Sequence, residues 1–329
     1  MTTICVDVMG SDKEPPVLLE GVAKALEKDS DLKVLLAGAA DVVEPFAKDH
    51  DRASALATTE VISMSEHPTN AVRHKKDASI VRACGAVKAG EADGLFSAGS
   101  TGAVLTAATF GIGRIKGIKR PALTLATPSP TGSGTVFLDV GANADVKPEV
   151  IVQFAQMGRA YSEVVMGVED PKVGLLCNGS EDTKGSMLAI SYHEALANAN
   201  CGFAGNAEGT DLLAGTFDVI VTDGFTGNVA LKSIEGTAKF FLKTLKTSVA
   251  NSKRSAMGAY LLSPTLKGLK SDLSGDDYGG AVLLGLKAPV VKGHGNTSSD
   301  AVCAGTLMCA RAVRGNLCGK IAAACAEEA

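Results

Sequence analysis

Five times in this sequence a short apolar run gives way to a loop of Gly, Ser, Thr and Asn, and a helix-like stretch comes next. Leu95-Phe96 runs into Ser97-Ala98-Gly99-Ser100-Thr101-Gly102, and Val136-Phe137-Leu138 into Asp139-Val140-Gly141-Ala142-Asn143. Val173 to Leu176 leads into Asn178-Gly179-Ser180, Val219 to Val221 into Asp223-Gly224-Phe225-Thr226-Gly227-Asn228, and Val290-Val291 into His294-Gly295-Asn296-Thr297-Ser298. A helix that starts beside a glycine offers free N–H groups and the positive end of its dipole, which suits an oxyanion or phosphate. Repeated along one edge of a parallel sheet, such junctions converge where open α/β folds bind ligands. The pattern predicts an enzyme that handles phosphate.

The rest of the chain fits that frame. Ile4 to Val8 predicts a buried first strand, Pro15 and Pro16 open a helix striped by Val17, Leu18, Val22 and Leu26, and Leu32 to Leu36 forms a second strand. Helices are expected over 80–87, 104–112, 150–164, 187–197 and 234–249. Strand–helix alternation of this kind argues for an α/β fold with a doubly wound, mostly parallel sheet. The tract from Thr127 to Gly134 reads as a loop or hairpin, so residues 1–329 are expected to form one α/β unit with a cleft between lobes. The segment 253–273 stands apart. Ser263 and Pro264 suit a helix start, and Leu262, Leu266, Leu269 and Leu273 share one face. That face fits packing on the core or on a second subunit, or a reversible contact with an anionic membrane surface.

Composition narrows the function classes. Aromatic residues are 4% of the chain and Trp is absent, which removes stacking platforms for single-stranded nucleic acid. A net charge of -4 gives no reason to expect nucleic acid either. The 8 cysteines show no C-x-x-C spacing and read as reduced, mostly buried thiols of a cytoplasmic protein. No apolar stretch reaches the length of a membrane span.

Familiar motifs fail on inspection. Gly179 to Ser186 approaches a P-loop but has Lys184 before Gly185, in the wrong order. Gly111, Gly113 and Gly117 miss the dinucleotide fingerprint by one residue and come after a helical pattern. No zinc-protease helix, nucleophile elbow or metal-ligand spacing occurs, so neither a metal nor another cofactor is expected.

A set of small-residue loops survives. Gly99, Ser100, Thr101 and Gly102 let backbone approach an anion and add hydroxyl donors, although a tight strand–helix turn would look the same. Asn178 and Gly179 precede Lys184, which could neutralise phosphate. A solvated loop with a capping carboxylate is the plainer alternative. Asp223, Gly227 and Asn228 put a carboxylate, a close backbone approach and an amide at one strand end, with Lys232 one turn on. His294 comes after the last strand and could exchange protons near neutral pH. Arg73, Lys75 and Lys76 form a basic run that fits a solvated loop or an acidic partner.

Taken in order, Val6-Asp7-Val8-Met9-Gly10-Ser11-Asp12, the loops at 97–103, 138–143 and 178–185, Gly205 to Asp211, Val221 to Lys232, Asp277 to Ala281 and His294-Gly295 resemble one family. It is that of the bacterial phosphate acyltransferases of phospholipid synthesis, which act on acyl-acyl carrier protein. Order and spacing hold along nearly the whole chain. Ser11 stands where that family usually has a second Gly, and Ser100 where Asn is usual.

The resemblance implies transfer of a fatty acyl group from acyl carrier protein to inorganic phosphate. It also implies a fold similar to isocitrate and isopropylmalate dehydrogenases and a homodimer. Peripheral membrane attachment through about 253–273, with contact to a downstream membrane acyltransferase, goes with it. On this reading Lys184, His294, Asn228 and Asp223 are the candidate catalytic residues. Gly99, Ser100, Thr101, Gly102, Asn143, Asn178, Gly179 and Gly227 would bind phosphate or substrate, phosphate resting between the 97–103 and 178–185 loops. The acidic carrier would meet Arg73, Lys75, Lys76, Lys253 and Arg254. A phosphate acetyltransferase-like enzyme using acyl-CoA and a non-catalytic scaffold for the carrier are the rival readings.

Overall fold

The apolar runs become strands because each is covered by helices on both faces, as a mostly parallel sheet requires. In the computed structural model, which describes residues 1–129, 134–250, 252–263 and 279–326, one sheet holds 11 strands in the order β3-β2-β1-β4-β11-β10-β5-β6-β9-β7-β8. They are β1 (Thr2–Asp7), β2 (Leu32–Gly38), β3 (Ala53–Ala57), β4 (Gly94–Ser97), β5 (Ala122–Thr127), β6 (Thr135–Leu138), β7 (Val173–Leu176), β8 (Phe203–Ala207), β9 (Val219–Val221), β10 (Ala281–Leu284) and β11 (Val290–Lys292).

The sheet is not parallel throughout. β3, β2, β1, β4 and β11 form one parallel block, and β6, β9, β7 and β8 form another. Between them β10 pairs antiparallel with β11 and with β5, and β5 pairs antiparallel with β6. Three reversals in a row make the two blocks run in opposite directions. The single common edge expected from the sequence is therefore absent.

Register restores the convergence by another route. Phe96 lies opposite Val291, Val291 opposite Val282, Val282 opposite Thr124, and Thr124 opposite Leu138. Leu138 in turn lies level with Val221, and Val221 with Leu175. The carboxyl ends of both blocks thus reach the same height on the sheet from opposite sides.

Helices cover both faces. On one lie α1 (Pro15–Lys28), α6 (Pro148–Tyr161), α7 (Met187–Ala197), and two C-terminal helices, Ser299–Arg314 and Leu317–Ala326. On the other lie α3 (Pro68–His74), α4 (Ser79–Ala89), α5 (Thr101–Gly111) and α8 (Gly224–Ala250), while α2 (Ala40–Asp49) comes after β2. α1 buries Leu18, Gly21, Val22, Ala25 and Leu26. A Cβ at Gly21 would come within 2.5 Å of the Ser299 carbonyl oxygen, so α1 and the helix Ser299–Arg314 touch backbone to backbone.

α8 begins ten residues earlier than the helical stripe suggests, because Asp223 caps it. Its carboxylate accepts from the Thr226 N–H at 2.8 Å and the Thr226 hydroxyl at 3.0 Å. A π-turn over Ser162–Met166 extends α6 before Gly167 ends it with φ 75°. β5 and β6 pair antiparallel on either side of the 127–134 tract, with Thr127 opposite Thr135, and residues 130–133 lie outside the described residues. Among the described residues the 8 cysteines form no disulfide, Cys177 and Cys318 being half-buried and the others buried. Of the amphipathic segment, α9 (Lys253–Leu261) and Leu262 are described, and Leu261 and Leu262 are exposed. Leu266, Leu269 and Leu273 lie outside the described residues. No described helix is long and apolar enough to cross a membrane.

Candidate active site

Where the two blocks meet, the sheet centre is left partly uncovered and a cavity of about 400 Å³ opens over β5 and β10. Four of the five junctions reach it through Thr101, Gly141, Asn228 and His294. Its lining is mixed in character. Leu123, Leu125, Val140, Leu213, Leu231 and Ile234 supply apolar lining, Lys232 and Lys292 bring positive charge, and Glu235 and the His294 ring add further polar groups.

Buried carboxylates shape the loops around it. Asp139 accepts from the amides of Leu123 (3.0 Å), Gly141 (3.1 Å), Ala142 (2.9 Å) and Asn143 (2.8 Å), and from Asn143 Nδ2 (2.9 Å). Burial pushes its pKa up while these donors oppose the shift. Asn143 also donates to the Pro121 carbonyl at 2.8 Å and accepts from the Gly224 amide at 2.7 Å, so it braces the start of α8. Asp7 plays a similar part at β1. It accepts from Ser97 Oγ at 2.8 Å, and Ser97 accepts from the Gly99 amide at 3.1 Å. Burial raises the Asp7 pKa as well. Ser11 donates to the Gly295 carbonyl at 2.9 Å, tying the first loop to the last.

The 97–102 loop presents the first turn of α5 without a side-chain cap from Ser100, which leaves its amides open to a ligand. Gly102 is needed there for contact, since a Cβ would reach 2.5 Å from Pro68 Cγ. Gly227 has a comparable duty, because a Cβ would collide with the Asp139 carbonyl oxygen. Its amide donates to the Asp223 carbonyl at 2.9 Å and is occupied within the helix start. Asn228 stands open on the cavity.

His294 accepts from the Asn296 amide at Nδ1, 3.2 Å away, which places the neutral ring's hydrogen on Nε2. Burial, then the Lys292 charge, holds its pKa below the ordinary value. Lys232 pairs with both Glu235 oxygens at 3.1 and 3.0 Å. Lys292 is half-buried, and among the described residues no hydrogen bond or ion pair engages its ammonium. Sequence reasoning missed it, because a lysine that ends a strand carries no motif.

The 178–185 loop goes elsewhere. A second cavity of about 310 Å³ lies between the starts of α7 and α8, lined by Cys177, Asn178, Ser186, Tyr192, Asp223 and Thr226 among others. Lys184 and Gly179 do not line either cavity. Lys184 is exposed, 3.8 Å from Glu181, and Asn206 Nδ2 fixes the loop by donating to the Glu181 carbonyl at 2.8 Å. Asn178 and Asp223 therefore share one cavity, while Thr101, Asn228 and His294 share the other. The single phosphate pocket expected from both loops is two pockets, since β7 lies in the outer part of one block and β4 in the other.

The basic run divides too. Lys75 donates to the Val61 carbonyl at 2.7 Å and pairs with Glu66 at 2.8 Å, whereas Arg73 and Lys76 are exposed. Arg254 is exposed on α9.

Comparison with known proteins bears on this arrangement. Residues 2–320 match the model of a family described as fatty acid synthesis protein. A phosphate acyltransferase of Bacillus licheniformis is 46% identical over 299 residues, covering 91% of each chain. One from Limosilactobacillus fermentum is 49% identical over 295 residues, covering 88% of this chain and 86% of that one. The chain belongs to the phosphate acyltransferase family. Solved structures share the fold at low identity. A phosphotransacetylase from Streptococcus pyogenes has 16% identity and a TM-score of 0.59 over 95% of this chain and 94% of that one. A 4-hydroxythreonine-4-phosphate dehydrogenase from Klebsiella pneumoniae has 10% identity and a TM-score of 0.54 over 95% and 100%. The fold of this phosphate acyltransferase family member is thus isocitrate/isopropylmalate dehydrogenase-like.

Proposed function

We propose that this chain transfers a fatty acyl group from acyl carrier protein to inorganic phosphate, giving an acyl phosphate for phospholipid synthesis. Family membership supports acyl transfer to phosphate. The observation that carries the reading is the cavity of about 400 Å³, whose lining combines Lys232 and Lys292 with a set of apolar side chains. A fatty thioester and a dianion need both surfaces at once.

In the proposed reaction a phosphate oxygen attacks the thioester carbonyl, the C–O bond forms and the C–S bond breaks. The proton of the hydrogen phosphate ends on the released thiol, so atoms and charge balance. A thiol is a good leaving group, and the chain's task is to position the reactants and stabilise the oxyanion. The open α5 amides hold phosphate, Asn228 donates to the oxyanion, and the His294 Nε2–H orients a phosphate oxygen or the departing sulfur. The acyl chain lies along Leu123, Leu125, Leu231 and Ile234.

The acidic carrier docks on exposed Arg73 and Lys76. α3 starts against Gly102, and its seven residues span roughly 10 Å, so its basic end stays near the cavity mouth. Membrane contact runs through the 253–273 segment, in which Met257, Leu261 and Leu262 are exposed. A homodimer would cover the exposed Phe240 and Phe241 of α8.

Purified protein incubated with acyl-carrier thioester, or with acyl-CoA, each with and without phosphate, tests the proposal. Phosphate-dependent loss of the carrier thioester alone supports it. Consumption of acyl-CoA alone points to the phosphate acetyltransferase-like rival, and binding without turnover to a scaffold.

A further inference from the structure

The larger cavity holds more positive charge than its own carboxylates engage. Lys232 is chelated by Glu235, and His294 is neutral at physiological pH because burial and Lys292 both disfavour its imidazolium. Lys292 is left. It ends β11, opposite Ser97 of β4 and Ala281 of β10, so its backbone adjoins the loop that opens α5. Cation and uncapped helix start both face the cavity that Thr101 and Lys292 line. A half-buried ammonium without a partner is costly to the fold, and a bound anion offsets that cost.

We propose that Lys292 is the cation that receives inorganic phosphate, acting with the first-turn amides of α5, and that Lys184 does not fill this role. This rests on the acyl-transfer reading above and names the phosphate subsite within it. The phosphate sits between β11 and α5, with the acyl chain against the apolar lining of the same cavity. The charged groups facing Lys292 are Lys232 and Glu235 from α8 and Asp12 from the first loop, with His294 two residues on. Burial, then Lys232, lowers the Lys292 pKa, and Asp12 and Glu235 oppose the shift. As pH rises, this cation is lost before an ordinary lysine would be.

The test uses full-length wild type, Lys292→Met, Lys292→Gln and Lys292→Arg. Phosphate binding is read by calorimetry without an acyl donor, and the KM for phosphate by thioester consumption. Loss of a charge-assisted hydrogen bond predicts weaker phosphate binding by roughly tenfold to a hundredfold in the Met and Gln variants. Arg restores binding, and it moves the alkaline rise in phosphate KM to higher pH. A merely structural lysine would not move that rise. Unchanged phosphate affinity in the Met and Gln variants overturns the assignment, and continuing phosphate-dependent turnover would then leave the acyl-transfer reading standing. An alkaline profile shared by wild type and Lys292→Arg also overturns it, as does a wild type that binds no phosphate.

Discussion

Asn228 and Asn143 are the same residue type at two similar junctions, yet their surroundings give them different work. Asn143 has its donors fixed on Asp139 and Pro121, so it holds the turn that Gly141 and α8 share. Asn228 keeps its amide open to the cavity, where the proposed reaction has it donate to the carbonyl oxygen. Asn228→Ala is expected to lower kcat about a hundredfold with the fold intact, the size seen when one oxyanion donor is removed. Steady-state kinetics with circular dichroism would show it, and a change confined to KM would contradict it. His294 makes a second prediction. Burial and a neighbouring cation both disfavour imidazolium, so its ring stays neutral until the pH falls below the ordinary 6.5. NMR titration, with the resonance assigned through His294→Gln, should place its midpoint below that value. In Lys292→Met the midpoint should move upward.

Elements were legible where sequence pattern and burial agree. Apolar runs marked β1, β2, β4, β6, β7, β9 and β11, and the prolines and stripe of α1 marked its start. β5 and β10 escaped notice, although they reverse the sheet between its halves. Ala122–Thr127 and Ala281–Leu284 are short, and the partners that make them strands lie far off in sequence. For the site, the glycine-rich junctions were visible in the sequence, but which of them share a cavity depends on strand order. That is why Lys184 read as a companion of the 97–102 loop and Lys292 went unseen. Gly227 illustrates a motif residue whose work is steric. The Asp139 carbonyl oxygen occupies the space its Cβ would need, so Gly227→Ala must push α8 off the turn. A loss of about 3 kcal/mol is expected for such overpacking, read as a lower urea midpoint. A midpoint equal to that of wild type would show that α8 can shift freely.

On the scale of the whole molecule the chain is acidic, so attraction to the acidic carrier proposed above has to be local. Reversing Arg73 and Lys76 to Glu should weaken carrier binding at low salt by roughly tenfold, with the difference shrinking as salt screens the surface. Lys75 would be the wrong choice for that experiment, since its ion pair with Glu66 makes its loss a stability effect. Calorimetry at two ionic strengths measures both affinities, and equal values at about 50 mM salt, where screening is weak, would remove α3 from the docking surface. The antiparallel pair of β5 and β6 couples the two halves in a further way. It works as a vernier: a two-residue slip of β6 along β5, the smallest that keeps each side chain on its own face, would carry Gly141 and, through β9, the start of α8 roughly 7 Å past Lys292, with the identity of every cavity residue unaltered. Mutations there at positions outside the cavity lining would mimic lesions of the chemistry itself.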